Sequence, residues 1–462
     1  MPPRIVSLST FPIPVLAERF SRQGKGLYLV GGSVRDMILG RETRDLDFTT
    51  DATPTQVKPL LQRAGADGVY AIGEKFGTIG AIFGDLRVEI TTYRSEQYQT
   101  GSRKPEVRFG DSLLGDLSRR DFTINAMARP AAGGDLVDPF GGQHDLQTRL
   151  IRAVGLARER FADDPLRLLR AIRFAVELGF QIEADTAQAI VEQADSLGTI
   201  SRERIAQEML RILLAPRAGA GLRMLSELGL MRHIIPEVLQ MQGMRQDTYH
   251  HKDVLEHTLQ VVDQAPPTPT LRWAALLHDI AKPRTRTVED GQVHFFGHEH
   301  VGERMTRKIL DNLRLDRPTA ERVCALVGMH QRANSYDDDW TDGAVRRFVR
   351  EAGGGLEDLL ALSRADVTSR RPERVRAAAE RVDALEARIA ELRAREDIEK
   401  LASPLDGNEL MALFDRPPGA WIKPIKEALL AAVLDGALAP DDKERATALA
   451  RALAPALEPQ GA

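Results

Sequence analysis

The pattern of apolar residues along this chain changes once, near Asp163. Before that point, from about residue 25, short β-rich runs such as LYLVGG, LDFTT and RVEITTY alternate with a few helical stretches and glycine-marked turns. After it the periods are helical almost to the end, and Pro and Gly mark the breaks. The sequence therefore predicts an α+β head followed by all-α domains.

Length and composition limit the class of protein. A chain of 462 residues exceeds one hydrophobic core, so several domains in series are expected. No apolar run reaches the roughly 20 residues of a membrane span, and the amino terminus lacks the features of a secretory signal. Cys324 is the only cysteine, which excludes an intramolecular disulfide and a thiolate zinc cluster and favours the cytoplasm. The net charge of -4 means that a polyanionic partner would be bound by local basic patches.

The first group of candidate residues lies in LYLVGGSVRDMILGRETRDLDFTT. Gly31 and Gly32 follow a β run and would let the backbone approach a phosphate group closely, while Arg35 could add a charged contact. Asp45 and Asp47 lie two residues apart on the next β run, so they would share one face. Two neighbouring carboxylates suit magnesium.

A third carboxylate would complete such a metal site. Glu89, in the β run RVEITTY, is the candidate for it. Each of these features alone is compatible with a plain turn or with solvated strand-end acids. Their order along the chain favours a phosphate and metal site.

A helix begins in FADDPLRLLRAIRFA, with Asp164 as a plausible cap and Pro165 at the first position. Asp164 and Arg167 would lie one turn apart. A carboxylate accepts from an exocyclic amine and a guanidinium donates to a ring nitrogen or carbonyl, so this pair suits cytosine and adenine and opposes uracil and guanine. Arg170 and Arg173 continue at three-residue steps and could bind triphosphate or RNA backbone, or form a charged stripe paired with nearby acids.

Histidines and aspartates at wide spacing form another group in helical text. His257, the pair His278 and Asp279, and Asp366 are the candidate ligands of a divalent metal that activates water to hydrolyse a phosphate ester. His298 and His330 are possible additional ligands.

The head motifs, continued by DLSRRDFTINAMA at residues 116–128, resemble the polymerase-beta-like nucleotidyltransferases, specifically the class II tRNA nucleotidyltransferase and bacterial poly(A) polymerase family. The resemblance assigns Arg120 to the nucleotide, and Asp121 and Asn125 to the sugar region. The family's base-recognition motif has an acid, then Asp, two residues and Arg. Here Asp163 replaces the usual Glu.

The resemblance implies an enzyme that adds or repairs the CCA end of tRNA from CTP and ATP, with Mg²⁺ in the head and release of pyrophosphate. The histidine-rich part resembles the HD phosphohydrolases, with a divalent metal of unknown identity. The implied domains are a nucleotidyltransferase head, a neck that recognises the base, an HD domain and a helical tail for tRNA, over residues 1–155, 156–240, 241–370 and 371–462. Within the neck, Arg204 and Glu208 are expected to brace helices.

Several alternatives remain open at this level. A CC-adding enzyme, an A-adding enzyme or a poly(A) polymerase would share almost all of these motifs. The stretch TTYRSEQYQTGSRKPEVRFGDS is full-length, whereas family members that add only CC are shortened in a flexible loop there, so it favours addition of A. The HD part could be a phosphatase or a 2′,3′-cyclic phosphodiesterase for RNA ends, a scaffold without catalysis, or the actual enzyme behind a nucleotide-sensing head.

Overall fold

The structure is a computed structural model that describes residues 10–73, 77–97, 106–109, 112–244, 253–290, 292–337, 339–368 and 371–453. The chain divides into two compact units, Met1–Ile234 and Ile235–Ala462. Each unit is described by itself below. Among the described residues, no helix combines the length and apolar character needed to cross a membrane.

The first unit contains both strands and helices. Its strands are β1 Leu27–Val30, β2 Asp45–Thr50, β3 Gly68–Gly73, β4 Thr78–Phe83, β5 Leu86–Thr92, β6 Arg94–Gln97, β7 Glu106–Phe109, β8 Ala128–Pro130, β9 Leu150–Ile151 and β10 Gln181–Ile182. Its α-helices are α1 Ile13–Ser21, α2 Gly32–Ile38, α3 Pro54–Arg63, α4 Leu113–Ser118, α5 Gly142–Thr148, α6 Ala157–Asp163, α7 Leu166–Leu178, α8 Ala184–Gln193, α9 Arg202–Leu214, α10 Ala218–Glu227 and α11 Met231–Ile234. Short 3-10 helices cover Thr123–Asn125 and Ala194–Thr199.

The main sheet of this unit has, within the described ranges, six strands in the order β3-β4-β5-β2-β1-β8. β2 and β5 run parallel, and every other neighbouring pair is antiparallel. Hairpin strands β6 and β7 pair with each other, and β9 pairs with β10. The predicted α+β head is therefore confirmed.

Alternation along β2 explains how the sheet presents its polar residues. Leu46 and Phe48 are buried, and Asp45 and Asp47 alternate with them on the opposite face. Helices α1 and α3 pack against strands of the same sheet and against each other. The sheet thus has an apolar interior and a polar edge at the start of β2.

Helices α7, α9 and α10 pack together after the head. On α7, nine of thirteen residues are buried, including Leu168, Leu169 and Ile172. The helix ends at Gly179, whose φ of 72° is in the left-handed region that glycine adopts without strain. The predicted change to helical structure near Asp163 is confirmed.

The second unit is helical apart from one hairpin in the part that the structure describes. Its helices are α12 Pro236–Leu239, α13 Val254–Gln264, α14 Pro269–Leu277, α15 Lys282–Thr285, α16 His298–Asn312, α17 Arg317–Asn334, α18 Asp342–Ala352, α19 Leu356–Ala365, α20 Pro372–Arg395, α21 Gly407–Phe414, α22 Ile422–Leu434 and α23 Lys443–Leu453. The hairpin strands are β11 Thr287–Glu289 and β12 Gln292–His294, and 3-10 turns cover Gly353–Gly355 and Ile398–Lys400.

Two groups of helices are evident in this unit. Helices α13, α14, α16, α17 and α19 pack against one another and carry the predicted HD residues. Helices α21, α22 and α23 enclose a separate apolar cluster that includes Leu410, Leu429 and Ala446. The long helix α20 lies between the two groups in the chain.

Candidate active sites

Strands β2 and β5 bring three carboxylates to neighbouring positions. In the parallel register Asp47 is the partner of Glu89, and Asp45 lies two residues earlier on β2. The start of β2 is fixed to α2, because Ser33 Oγ donates to the Asp45 carbonyl at 3.1 Å and accepts from the Asp47 amide at 2.9 Å. The structure thus brings together the three acids that the sequence places on separate strands.

The pKa values of Asp47 and Glu89 are raised, which indicates that positive charge nearby does not balance the three carboxylates. Burial, and then the Glu89 carboxylate, raise the pKa of Asp47 to about 6, although Arg120 opposes the shift. Burial and Asp45 also raise the pKa of Glu89. Clustered carboxylates that repel one another are the oxygen ligands that Mg²⁺ prefers. The residues present at this site therefore fit a divalent cation.

The predicted glycine pair lies beside these carboxylates. Gly31 has a φ of 67°, in the region that favours glycine. A Cβ atom at Gly31 would lie 2.9 Å from Arg120 Nη1 and 3.7 Å from Asp47 Oδ2. Gly32 is the first residue of α2. A side chain at Gly31 would therefore displace the Arg120 guanidinium and strain a backbone conformation that favours glycine.

Four of the predicted nucleotide-binding side chains form one connected network. Arg35 Nη1 donates to Asn125 Oδ1 at 2.8 Å, Asn125 Nδ2 donates to Asp121 Oδ1 at 3.1 Å, and Arg170 Nε donates to Asp121 Oδ2 at 2.8 Å. Burial alone would raise the pKa of Asp121, but Arg170 and Asn125 outweigh it and lower the pKa to about 2. Asp121 is therefore an anion at neutral pH, held in place from both sides.

Phe174 lies under this network and was not predicted from the sequence. Its ring is 5% exposed, and the guanidinium carbons of Arg35, Arg170 and Arg173 lie 5.2, 5.4 and 4.3 Å from the ring centroid. Cations over an aromatic face are stabilised by its quadrupole. The available signal was the position of Phe174 one helical turn after Arg170.

Arg173 contacts another acid as well. Its Nε lies 3.2 Å from Glu208 Oε2 and 3.9 Å from Glu177 Oε1, and its side chain is 6% exposed. The pair with Glu208 joins α7 to α9, as expected for a bracing role of Glu208. The predicted contact of Arg173 with phosphate stays a prediction.

Asp116 pairs with Arg120 and was also not predicted from the sequence. Its carboxylate is fully buried, and Oδ1 and Oδ2 lie 2.7 Å from Arg119 Nη2 and 3.2 Å from Arg120 Nη2. The neighbouring guanidinium groups outweigh the effect of burial and lower the pKa of Asp116. The spacing of Asp116 three and four residues before Arg119 and Arg120 was the signal for this contact.

The proposed base-recognition pair lies where α6 meets α7. Arg167 donates from Nη1 to the Arg160 carbonyl at 3.0 Å and from Nη2 to the Arg119 carbonyl at 2.8 Å. Asp164 Oδ1 accepts from the Leu166 amide at 3.1 Å. Helix α7 begins at Leu166, so Pro165 precedes the first helical residue instead of occupying it, a one-residue difference of the kind common at helix ends.

Arg204 contacts this pair. Its Nη2 lies 2.9 Å from Asp164 Oδ2. Asp163, the residue that replaces the family's usual Glu, lies 3.0 Å from Arg160 Nη2 and 3.8 Å from Arg167 Nη1. Arg204 was expected to brace the neck, and its partner is the acid proposed to read the base.

The predicted HD residues lie together in the second unit. Two groups can each hold an ion, with ligand atoms within 4.8 Å of one another: His257, His278 and Asp366 in one, and Asp279, His298 and His330 in the other. His278 and Asp279 directly follow α14, and Asp366 follows α19. The two residues named only as possible additional ligands thus share a group with Asp279.

Three of these imidazoles have a defined orientation. His278, His298 and His330 each place Nδ1 2.8–2.9 Å from a main-chain carbonyl three residues earlier. A carbonyl only accepts, so Nδ1 is the donor and Nε2 of the neutral ring carries a lone pair. His298 Nε2 and His330 Nε2 then face each other at 3.2 Å. Two lone pairs at this distance repel unless a cation lies between them, so the residues present fit a divalent metal.

The charges at this centre agree with that fit. Burial would lower the pKa of His278, but the carboxylates of Asp279 and Asp366 outweigh it and raise the pKa to about 10. Burial and the neighbouring His278 lower the pKa of His330 to about 4. The same negative potential that protonates His278 attracts a divalent cation.

Other polar side chains hold the ligands in place, and none of them was predicted. Asn334 Nδ2 donates to Asp366 Oδ2 at 2.8 Å, and Lys282 Nζ lies 2.7 Å from Asp279 Oδ2. Thr368 Oγ1 lies 2.7 Å from His257 Nδ1. Partners of this kind orient ligands before a metal binds.

Two parts of the sequence predictions fall outside the described residues. Residues 98–105 and 110–111 of the stretch that was used to favour addition of A are among them. His250 and His251, to which the sequence assigns no ligand role, are as well.

Comparisons with known proteins match three parts of the chain. Residues 27–152 match the poly A polymerase head domain, residues 179–241 match a probable RNA and SrmB-binding site of polymerase A, and residues 250–392 match the HD domain. The A-adding tRNA nucleotidyltransferase of Deinococcus radiodurans is 34% identical, covering 91% of this chain and 94% of its own.

Other relatives extend over similar lengths. The CCA-adding enzyme of Geobacillus sp. strain WCH70 is 30% identical, covering 91% of this chain and 92% of its own, and the CC-adding tRNA nucleotidyltransferase of Thermus thermophilus is 31% identical, covering 91% and 93%. The crystal structure of the Bacillus stearothermophilus CCA-adding enzyme in complex with CTP superposes with a TM-score of 0.69, at 28% identity, covering 96% of this chain and 98% of that one. The chain therefore belongs to the class II tRNA nucleotidyltransferase and bacterial poly(A) polymerase family, as a nucleotidyltransferase with a fused HD domain.

Proposed function

We propose that this nucleotidyltransferase adds and repairs the 3′-terminal CCA of tRNA, using CTP and ATP and releasing pyrophosphate. The observation that carries the proposal is the register of β2 and β5, which aligns Asp47 with Glu89 beside Gly31. Magnesium held by Asp45, Asp47 and Glu89 would help to activate the ribose 3′-hydroxyl and neutralise the departing pyrophosphate.

The surrounding residues would bind and orient the nucleotide. Gly31 and Gly32 allow the triphosphate to approach the main chain, and Arg120, fixed by Asp116, is directed at the same place. The buried network that links Arg35, Asn125, Asp121 and Arg170 would hold the sugar and phosphates against a rigid wall. Such preorganisation places the α-phosphate for attack without further rearrangement.

Asp164 and Arg167 would select the base. The Asp164 carboxylate accepts from the amino group that cytosine and adenine both carry, and Arg167 donates to the adjacent ring acceptor. Uracil and guanine present a carbonyl where the amine should be, and two acceptors facing each other repel. The anchoring of Arg167 on two main-chain carbonyls keeps its guanidinium in one orientation.

Relatives with three different products are almost equally similar, at 34%, 30% and 31% identity, so overall identity does not choose among A-adding, CCA-adding and CC-adding activity. We favour the complete CCA reaction because the solved relative with a TM-score of 0.69 is a CCA-adding enzyme and the stretch around residues 91–112 is full-length. A poly(A) polymerase is the remaining alternative within the family.

The test is incubation of the protein and Mg²⁺ with a tRNA transcript that lacks CCA, followed by sequencing of the extended ends. CTP, ATP, both together, and UTP or GTP are supplied in separate reactions. Growth by CCA only when both CTP and ATP are present supports the proposal. Addition of CC alone, of A only to a CC end, or of a long A tract would select one of the alternatives. Asp45→Ala should abolish all growth, whereas Asp85→Ala, an exposed acid at the turn between β4 and β5, should not.

We also propose that the HD part is a metal-dependent phosphohydrolase that acts on RNA 3′ ends. Two groups of three ligands, with His278, His298 and His330 already oriented by the main chain, support this proposal. A bound divalent metal would lower the pKa of its water to supply hydroxide. The test is hydrolysis of RNA ends that carry a 2′,3′-cyclic phosphate or a 3′ phosphate. Loss of hydrolysis in His298→Ala, with hydrolysis retained in His300→Ala, would support a catalytic centre, and no hydrolysis with any divalent metal would refute it.

The wider organisation follows from these proposals. We place the head at residues 1–155, the neck at 156–240, the HD domain at 241–370 and the tail at 371–462, with tRNA as the partner.

A cytoplasmic location is supported by Cys324, which is buried with a free thiol as a reducing compartment allows.

A further inference from the structure

We propose that His294 and Phe296 form a platform on which the base of a terminal RNA nucleotide stacks while its phosphate lies at the HD centre. The proposal rests on the proposed hydrolase function and names the residues that would recognise its substrate. The rings belong to the segment that leaves β12 and enters α16, immediately before the metal-ligand candidate His298.

The two rings have the geometry of a stacking surface. Their centroids lie 4.9 Å apart and their planes are inclined by 8°. Phe296 is 66% exposed, so one face of its ring is covered by His294 and much of the remainder is open to solvent. Nucleobases of every kind have a π-face and stack on exposed aromatic rings.

The segment that carries the two rings contacts the metal-ligand candidates directly. The carbonyl of Phe295, the residue between the two rings, accepts the hydrogen bond from His298 Nδ1 at 2.9 Å. Lys282 Nζ lies 5.5 Å from the Phe295 ring centroid and 2.7 Å from Asp279 Oδ2. Phe296 is two residues from His298, and two residues span at most about 7 Å of chain. A nucleoside and its attached phosphate can bridge a gap of this size.

Charge along the same segment suits a polyanion. Arg284 and Arg286 are exposed on the stretch between the metal-ligand candidate Asp279 and the hairpin. Arg286 directly precedes Thr287, whose register partner is His294. The acids Glu289 and Asp290 lie at the far end of the hairpin, at its turn. The two arginines therefore give the stretch next to the ligands a positive charge that suits phosphate groups.

Direct binding tests the platform without relying on catalysis. The full-length protein with Mg²⁺ is titrated into 2-aminopurine riboside 3′-monophosphate, whose fluorescence falls when its base stacks. Phe296→Ala should raise the Kd measured from the quenching by about 5- to 150-fold, the range for loss of one stacked base. Phe296→Tyr should restore it, and Val288→Ala, which alters an exposed apolar residue of the same hairpin, should leave it unchanged.

A kinetic arm separates this proposal from the hydrolase proposal. Phe296→Ala should lower kcat/KM for a nucleoside 2′,3′-cyclic phosphate and spare an abasic ribose 2′,3′-cyclic phosphate, which has no aromatic ring to stack. If the wild type hydrolyses neither compound but quenching still depends on Phe296, the hydrolase proposal fails and the platform stands. Quenching that is unchanged in Phe296→Ala overturns the platform. The platform is also overturned if Phe296→Ala changes the oligomeric state and leaves nucleotide binding unchanged, because the rings would then belong to a contact between protein chains.

Discussion

Arg204 donates a hydrogen bond from Nη2 to Oδ2 of Asp164 across 2.9 Å, and the Leu166 amide donates to the other carboxylate oxygen. The acid proposed to read the base is thus held at both oxygens, once by its own helix start and once by α9. A residue expected only to brace the neck therefore orients a residue proposed to set specificity.

Replacing Arg204 should consequently affect base selection. Arg204→Ala should raise KM for CTP and ATP by about fivefold, the effect of losing roughly 1 kcal/mol from a charged hydrogen bond at a partly exposed site. The fraction of UTP incorporated should rise, and kcat should change less than KM. Steady-state kinetics with each nucleotide measure both effects. Gln207→Ala, an exposed change on the same helix, is the control, and equal kinetics in the two variants would contradict the positioning role.

Asp47 should make the metal-free protein less stable as the pH rises. Its folded-state pKa is raised from 3.8 to about 6, so the folded protein holds a proton that the unfolded chain has released between these values. Stability is then lost as the pH rises from 4 to 6, by roughly 2–3 kcal/mol in total, at ~1.4 kcal/mol per pKa unit. Asp47→Asn should flatten this dependence and raise the melting temperature at pH 7 in EDTA, although it abolishes nucleotide addition.

Thermal unfolding at pH 4.5 and 7 measures the effect. Asp45→Asn is the matched control, because Asp45 is exposed and on the same strand. A larger stability gain in Asp45→Asn than in Asp47→Asn would show that burial at Asp47 is not the cause.

The pH dependence of stability that we expect from Asp121 has the opposite sign to that from Asp47. The pKa of Asp121 is lowered to about 2, so its ion pair with Arg170 contributes stability that is fully present above pH 4 and is lost as the pH falls towards 2. Asp121→Asn should destabilise the protein at pH 7 by about 2 to 4 kcal/mol, because a largely enclosed guanidinium loses its anion. The double variant Asp121→Asn with Arg170→Met should recover part of that loss. Urea unfolding of the wild type, the two single variants and the double variant gives the coupling energy between Asp121 and Arg170. Strict additivity of the two single effects would argue against the network.

The HD centre should retain divalent metal in two separable groups. His257→Ala and His298→Ala should each reduce the metal content after dialysis by about one ion per chain, since they belong to different ligand groups. Added metal should raise the melting temperature of the wild type more than that of either variant. Elemental analysis measures the content. His300→Ala is the control, with a side chain 72% exposed, and an unchanged metal content in His298→Ala would contradict the assignment.

The sequence predicted local features well. Asp45 and Asp47 lie where period-two alternation places them, and the glycine pair before α2 lies beside them. The link from Asp47 to Glu89 depends on parallel pairing of strands about forty residues apart, which no local pattern specifies. The sequence therefore indicated Glu89 as a candidate, but it could not predict that Glu89 lies beside Asp47.

Local and long-range contacts together account for the remaining surprises. Asp116 pairs with arginines three and four residues later, and Phe174 is on the same helix as Arg170 and Arg173. Only Arg35 reaches the Phe174 ring from a distant segment. Asn334 and Thr368 carry no motif, and their contacts with Asp366 and His257 arise from helix packing. Lys282 lies three residues after Asp279, so that contact is local.

The orientation of His278, His298 and His330 has an evolutionary consequence. Each ring is held by a carbonyl only three residues away in its own segment, so its direction is encoded locally and independently of the other two. A descendant that lost one of these histidines would keep the others facing the same point. Restoring that histidine would then return its ring to the same carbonyl and the same direction, without any change in the surrounding helices.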